Sequence, residues 1–89
     1  MKRIKTFTLK NKLGLHARAA AMIVNVSSKY SSRVFLKKDG KKVDGNSILE
    51  ILALSCSMGS RVTVEADGLD ADDVMRELEK LVENKFGEE

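Results

Sequence analysis

The chain has 89 residues, 43% hydrophobic and 33% charged, with a formal net charge of +3. That length suits one domain, 1–89, with a modest core, and no apolar run is long enough to span a bilayer. A single cysteine, Cys56, excludes an internal disulfide, and the basic start MKRIKTFTLK lacks the apolar stretch of a secretion signal, so a cytoplasmic protein is expected.

The charge is unevenly spread. Residues 1–45 carry 12 Lys and Arg against Asp39 and Asp44, a net of +10, whereas residues 46–89 carry 4 against 11 acidic residues, a net of −7. Two solvated faces would account for this, and so would a basic face that docks an acidic partner.

Residues 3–9 (RIKTFTL) read as a strand with Phe7 and Leu9 on one side. Residues 17–29 read as a helix. Its stripe toward a sheet is expected to be Ala20, Ile23 and Val24, which leaves Ala17 and Ala21 outward. Residues 33–38 put Val34 and Leu36 on one face of a strand. Asp39-Gly40 favours a tight hairpin, whose central residues need positive φ, and 41–44 return as a short strand. Residues 47–54 (SILEILAL) form a second helix opened by Ser47 and Glu50 in the S-x-x-E pattern of a capping box. Ile51 is expected inward, with Ile48 or Leu54. Leu49 and Leu52 are left for an exposed apolar patch. Residues 61–66 (RVTVEA) alternate, with Val62, Val64 and Ala66 inward. In the last helix Ala71, Val74, Met75, Leu78, Leu81 and Val82 share one face, and Asp70 is expected to be its N-cap. The order is βαββαβα. Strands with one buried face place all three helices on the same side, giving an α+β open-faced β-sandwich with a four-stranded antiparallel sheet.

The stretch GLHARAAAMIV holds the only histidine. His16 stands where the first helix begins and is not one of the preferred capping residues. Helix-start amides lack intrahelical partners and carry a partial positive charge, which suits an anion. A phosphoryl group on His16 would meet the amides of Ala17, Arg18 and Ala19, and the Arg18 guanidinium fits phosphate oxygens. A lone His at a helix end also serves as a plain exposed spacer, and spacing alone leaves both readings open. With one His and one Cys 40 positions apart, no metal-ligand set is visible, and neither metal nor cofactor is expected.

GLHARAA followed by DGKKVDGNSI resembles the HPr family, the histidine-containing phosphocarriers of the bacterial phosphoenolpyruvate:sugar phosphotransferase system, from about residue 4 to residue 85. The resemblance implies a stoichiometric carrier rather than an enzyme, with the open-faced sandwich fold. It implies phosphorylation of His16 at Nδ1, assisted by Arg18. It implies regulatory phosphorylation of Ser47 in those members served by an HPr kinase/phosphorylase. Ala17, Ala21, Ile48, Leu49 and Leu52 match the surface that docks enzyme I and enzyme IIA domains. A monomer that inserts in no membrane and binds no nucleic acid is expected. Two positions depart from the family pattern. Ala19 replaces the usual Pro and is expected to add an amide to the anion site. Leu13 replaces what is more often a small polar residue.

Three rival readings remain. A regulatory or nitrogen-type carrier would use the same chemistry. A small nucleic-acid-binding domain would use the basic half, although Phe7, Tyr30, Phe35 and Phe86 show no stacking signature. An acylphosphatase-type enzyme needs an Arg and an Asn around a phosphate loop, where this chain offers Leu13-Gly14-Leu15.

Overall fold

A computed structural model describes residues 1–88. The chain forms β1 (Lys2–Thr8), α1 (Ala17–Ser27), β2 (Arg33–Lys38), β3 (Lys41–Asp44), α2 (Ile48–Ala53), β4 (Arg61–Asp67) and α3 (Ala71–Glu83), followed by a 3₁₀ turn at Lys85–Gly87. The strands pair antiparallel in the order β1-β4-β2-β3. The expected element order and open-faced sandwich are present. The first two elements each end earlier than expected: the strand at Thr8 and the helix at Ser27.

The hairpin between β2 and β3 turns on Asp39 and Gly40, with φ of 50° and 81°. Lys38 faces Lys41, so the loop has two residues and the register is fixed. This register brings Val34, Leu36, Val43, Val62, Val64 and Ala66 together under the helices, all buried. Helix α3 lies over β1 and β4, α2 lies beside β3, and α1 packs between α2 and α3. Arg3 and Lys5 emerge on the helix side of β1 and pair with Asp72 and Glu79 of α3.

The buried stripe of α1 is Ala19, Ala20, Ile23, Val26 and Ser27. Val24 was expected in it and is only partly buried, because α1 is covered by helices on two sides rather than by the sheet alone. Ile51 and Leu54 enter the core from α2, whereas Leu52, expected outside, is half-buried against it.

Across the open face of the sheet, Glu65 is almost fully covered although its position alternates outward. Lys2 lies 3.0 Å from its carboxylate, with Lys37 and Lys42 at 3.3 and 3.5 Å. Hydrogen bonding to Lys2 pulls its pKa down to about 2, against the opposing effect of burial. Part of the basic half is thus neutralised within the fold.

Asp70 precedes α3 but makes no side-chain cap bond. Its carboxylate turns instead to the loop before β2. There it accepts from the Ser31 and Ser32 amides at 2.9 and 2.8 Å and from both serine hydroxyls. Two amides and two hydroxyls outweigh the local cap that was expected. These donors, Ser32 first, lower the Asp70 pKa from 3.8 to about 2. A depressed carboxyl contributes stability that is complete above its unfolded pKa and is lost as pH falls through the folded one. Asp70→Asn is therefore expected to unfold at lower urea than wild type at pH 6, with the gap closing as pH falls from 4 toward 2. Urea midpoints across that range measure it, and a gap independent of pH would contradict the assignment.

Candidate functional site

The segment leading into α1 is laid on the loop before β4. Leu9 exchanges backbone bonds with Ser60 and Gly59, and the Leu15 amide donates to the Cys56 carbonyl at 2.9 Å. Gly14 has φ of 60°, and a Cβ there would come within 2.2 Å of the Cys56 oxygen, so only glycine permits this approach. Leu15 is buried and fixes the chain direction just before His16.

His16 is the N-cap of α1, with extended backbone angles. Its Nδ1 accepts the Arg18 amide at 3.2 Å. A histidine outside the usual capping set thus performs the capping bond itself. Because a backbone N–H can only meet a lone pair, Nδ1 is the unprotonated nitrogen and Nε2 carries the hydrogen. Nε2 lies 2.9 Å from Oε2 of Glu88. The imidazole is 24% exposed, at the surface rather than in the core.

The other predicted residues divide. Ala17 and Arg18 are exposed beside the ring. The Arg18 guanidinium runs along the C-terminal turn, 3.6 Å from where a Cβ on Gly87 would stand. Ala19 is fully buried at the start of α1. Its small side chain is spent on packing. Ser47 caps α2 through its hydroxyl, which accepts the Glu50 amide at 3.2 Å. The capping box is incomplete, because the Glu50 carboxylate reaches the Asp44 amide at 3.3 Å. Ala21 is exposed, Ile48 is 39% exposed and Leu49 is 79% exposed, while Leu52 is partly withdrawn. Leu13 adds a large exposed apolar side chain three positions before His16.

Glu88 is the residue that sequence reasoning missed. Beyond the His16 ring it accepts from Asn11 Nδ2 at 2.7 Å and from the Leu13 amide at 3.3 Å. These donors, Asn11 first, hold its carboxyl below the usual range against the effect of burial. Cys56, the other potential nucleophile, is buried, and burial pushes its thiol pKa up. Among the described residues no group of three His, Cys, Asp or Glu side chains is placed to hold a metal ion. No helix there is long and apolar enough to cross a membrane.

Of the aromatic residues, Phe7 and Phe86 are buried, and Tyr30 donates to Glu77 at 2.5 Å. Phe35 on the open sheet lies under Lys42 and Arg33, at 4.4 and 5.2 Å from the ring centre. The arrangement offers a nucleophilic nitrogen at a helix start, and no row of open rings on which bases would stack.

Residues 4–84 match the family profile described as the PTS HPr component phosphorylation site. The chain is 42% identical over 81 residues to the phosphocarrier protein HPr of Cupriavidus necator, covering 91% of each. It is 40% identical over 74 residues to the HPr-like protein Crh of Bacillus subtilis, covering 83% of this chain and 87% of that one. The crystal structure of HPr-C-His from Thermoanaerobacter tengcongensis superposes with a TM-score of 0.93 at 45% identity over 98% of both chains. A crystal structure of an HPr dimer from the same organism gives 0.78 at 44% identity, covering 99% of this chain and 100% of that one. With the sheet order, the three helices on one face and this extent of similarity together, the chain belongs to the HPr phosphocarrier family of the phosphotransferase system.

Proposed function

We propose that this protein carries phosphoryl groups on His16, taking them from phosphorylated enzyme I and passing them to enzyme IIA domains in sugar uptake. The observation that carries the reading is the unprotonated Nδ1 held at the start of α1. The Arg18 amide gives up its bond to Nδ1, and Nδ1 attacks the phosphorus of the donor phosphohistidine. The Nδ1–P bond forms as the donor's P–N bond breaks, and the donor imidazole leaves with that electron pair. The Arg18 amide, released from Nδ1, and the Ala17 amide then face the phosphoryl oxygens, with the Arg18 guanidinium alongside. Such donors stabilise charge on a transferring phosphoryl group. The imidazole is partly exposed, which suits a carrier that must also release its load. No metal or cofactor is needed in this chain, and turnover is left to its partners.

Ala17, Ala21, Ile48 and Leu49 form the docking surface, with Leu52 at its edge and Leu13 added beside the histidine. In this reading the carrier works as a monomer in the cytoplasm. A regulatory output of the same chemistry is the second reading, favoured by the likeness to Crh. The nucleic-acid reading loses support from the pairing of Lys2, Lys37 and Lys42 with Glu65.

Incubation with phosphoenolpyruvate and enzyme I tests the assignment. One phosphoryl group, labile in acid and stable in base, is expected by intact mass. No gain in mass would refute the carrier reading.

Ser47 is assigned as the regulatory site, open to a kinase/phosphorylase. Its hydroxyl caps α2, where added negative charge is tolerated. The same charge would sit beside exposed Ile48 and Leu49 and be desolvated on docking. Ser47→Asp is expected to keep the fold and weaken enzyme I binding by roughly tenfold or more, about 1.4 kcal/mol. Calorimetric titration measures this, and equal affinity would remove the regulatory role.

A further inference from the structure

The match to the family profile ends at residue 84, yet the chain continues into the site. The 3₁₀ turn at Lys85–Gly87 buries Phe86 to 1% exposure and brings Glu88 back over the loop before α1. The Glu88 side chain is 15% exposed there. Three donors converge on its carboxylate: Asn11 Nδ2, the Leu13 amide and His16 Nε2. Asn11 is itself buried and tied to the Gly14 carbonyl at 2.8 Å, so the carboxylate is held from a fixed point of the loop.

We propose that Glu88 is a positioning residue for phosphoryl transfer, keeping a hydrogen on His16 Nε2 so that Nδ1 both attacks and leaves as part of a neutral imidazole. The proposal rests on the carrier reading of His16. When Nδ1 bonds to phosphorus, the ring becomes a cationic phosphoimidazolium with its hydrogen still on Nε2. The carboxylate beyond Nε2 offsets that positive charge. When the phosphoryl group moves on, the Nδ1–P electron pair returns to Nδ1 and neutral imidazole departs. Were Nε2 bare, the departing group would be the imidazolate anion, a far poorer leaving group. A carboxylate behind a histidine that changes charge in the reaction holds its tautomer and stabilises its cation.

The other charges at the ring are the positive start of α1 and the Arg18 guanidinium along Gly87. The first meets Nδ1 through the Arg18 amide, and one guanidinium nitrogen of the second lies by Gly87. The groups contributed by the preceding loop, Asn11 and the Leu13 amide, are neutral. Glu88 is therefore the one anion among the described residues placed against Nε2.

Histidine-selective ¹⁵N labelling gives the first test, before any phosphoryl donor is added. Wild type is expected to show the Nε2–H tautomer. Glu88→Gln keeps an accepting oxygen and should stay close to it, while Glu88→Ala, in which only the 3.2 Å Arg18 amide bond still favours that tautomer, should show a mixture. The proteins are then phosphorylated chemically with phosphoramidate, and ring protonation is followed by ³¹P and ¹⁵N signals against pH. The protonation midpoint of the phosphorylated ring is expected to fall by about one pH unit in both variants, as expected for the loss of a neighbouring opposite charge. The pH profile of dephosphorylation should fall with it. A loss of mere structural support would not move that midpoint. Wild-type tautomer in Glu88→Ala together with an unmoved midpoint in both variants would overturn the proposal. Failure of wild type to accept from enzyme I would overturn the carrier reading instead, and the tautomer measurement stands apart from it.

Discussion

His16→Ala is expected to take up no phosphoryl group at all from enzyme I and phosphoenolpyruvate, with its intact mass unchanged while wild type gains one PO₃ unit. The expectation is complete loss because the sequence has no second histidine and Cys56 is buried with a raised pKa. The substitution also removes a helix cap, since Nδ1 accepts the Arg18 amide. Losing a cap costs about 1 kcal/mol, against roughly 5–15 kcal/mol for a domain of this kind, so the variant should remain folded. His16→Asn separates the two roles. Asparagine is a preferred N-cap and should restore the stability, but its amide is no nucleophile, so phosphoryl uptake should stay at zero. Circular dichroism and urea unfolding monitor the fold while mass spectrometry follows uptake. Acid-labile phosphate on either variant would move the acceptor away from His16.

The parts of the molecule that repeat with a period were legible in the chain, and those set by a single distant contact were not. Alternation in 33–38 and 61–66 placed Val34, Leu36, Val62 and Val64 correctly, because a strand with one buried face has only one register that hides them all. Asp39-Gly40 marked its hairpin because few residue pairs tolerate positive φ twice. Asp70 misled for a physical reason. Capping is a local preference worth about one hydrogen bond, and the Ser31–Ser32 loop offered four. His16 stood out by its place before an apolar helix, but its capping bond did not, since imidazole is not in the usual capping set. Glu88 carried no signal. It follows a turn in which Lys85 and Phe86 adopt positive φ of 53° and 52°, and side chains of those types do not announce such a conformation.

Phe86→Ala is expected to cost about 3–5 kcal/mol of unfolding free energy, the range for deleting a buried phenyl ring. Phe86 is 1% exposed and lines the core with Phe7, Leu9, Leu15, Ile23, Leu78 and Val82. Its left-handed backbone costs on the order of 1–3 kcal/mol for a bulky residue, and the chain accepts that cost only because the ring's burial exceeds it. Alanine keeps most of the backbone penalty and loses the burial, so little relief offsets the cavity. For a domain of this size the melting temperature should fall by roughly 12 °C or more. Urea titration should show a lower midpoint with an unchanged slope. Leu69→Ala, at a side chain 93% exposed, should stay within about 0.5 kcal/mol and serves as the control. The same substitution should free the turn that carries Glu88. His16 in Phe86→Ala would then show the mixed tautomer expected of Glu88→Ala, at a urea concentration where the protein is still folded. A loss below about 1 kcal/mol would mean that the ring is not seated in the core. A lost core contact with an unchanged His16 tautomer would mean that Asn11 and the Leu13 amide hold Glu88 in place without the Phe86 anchor.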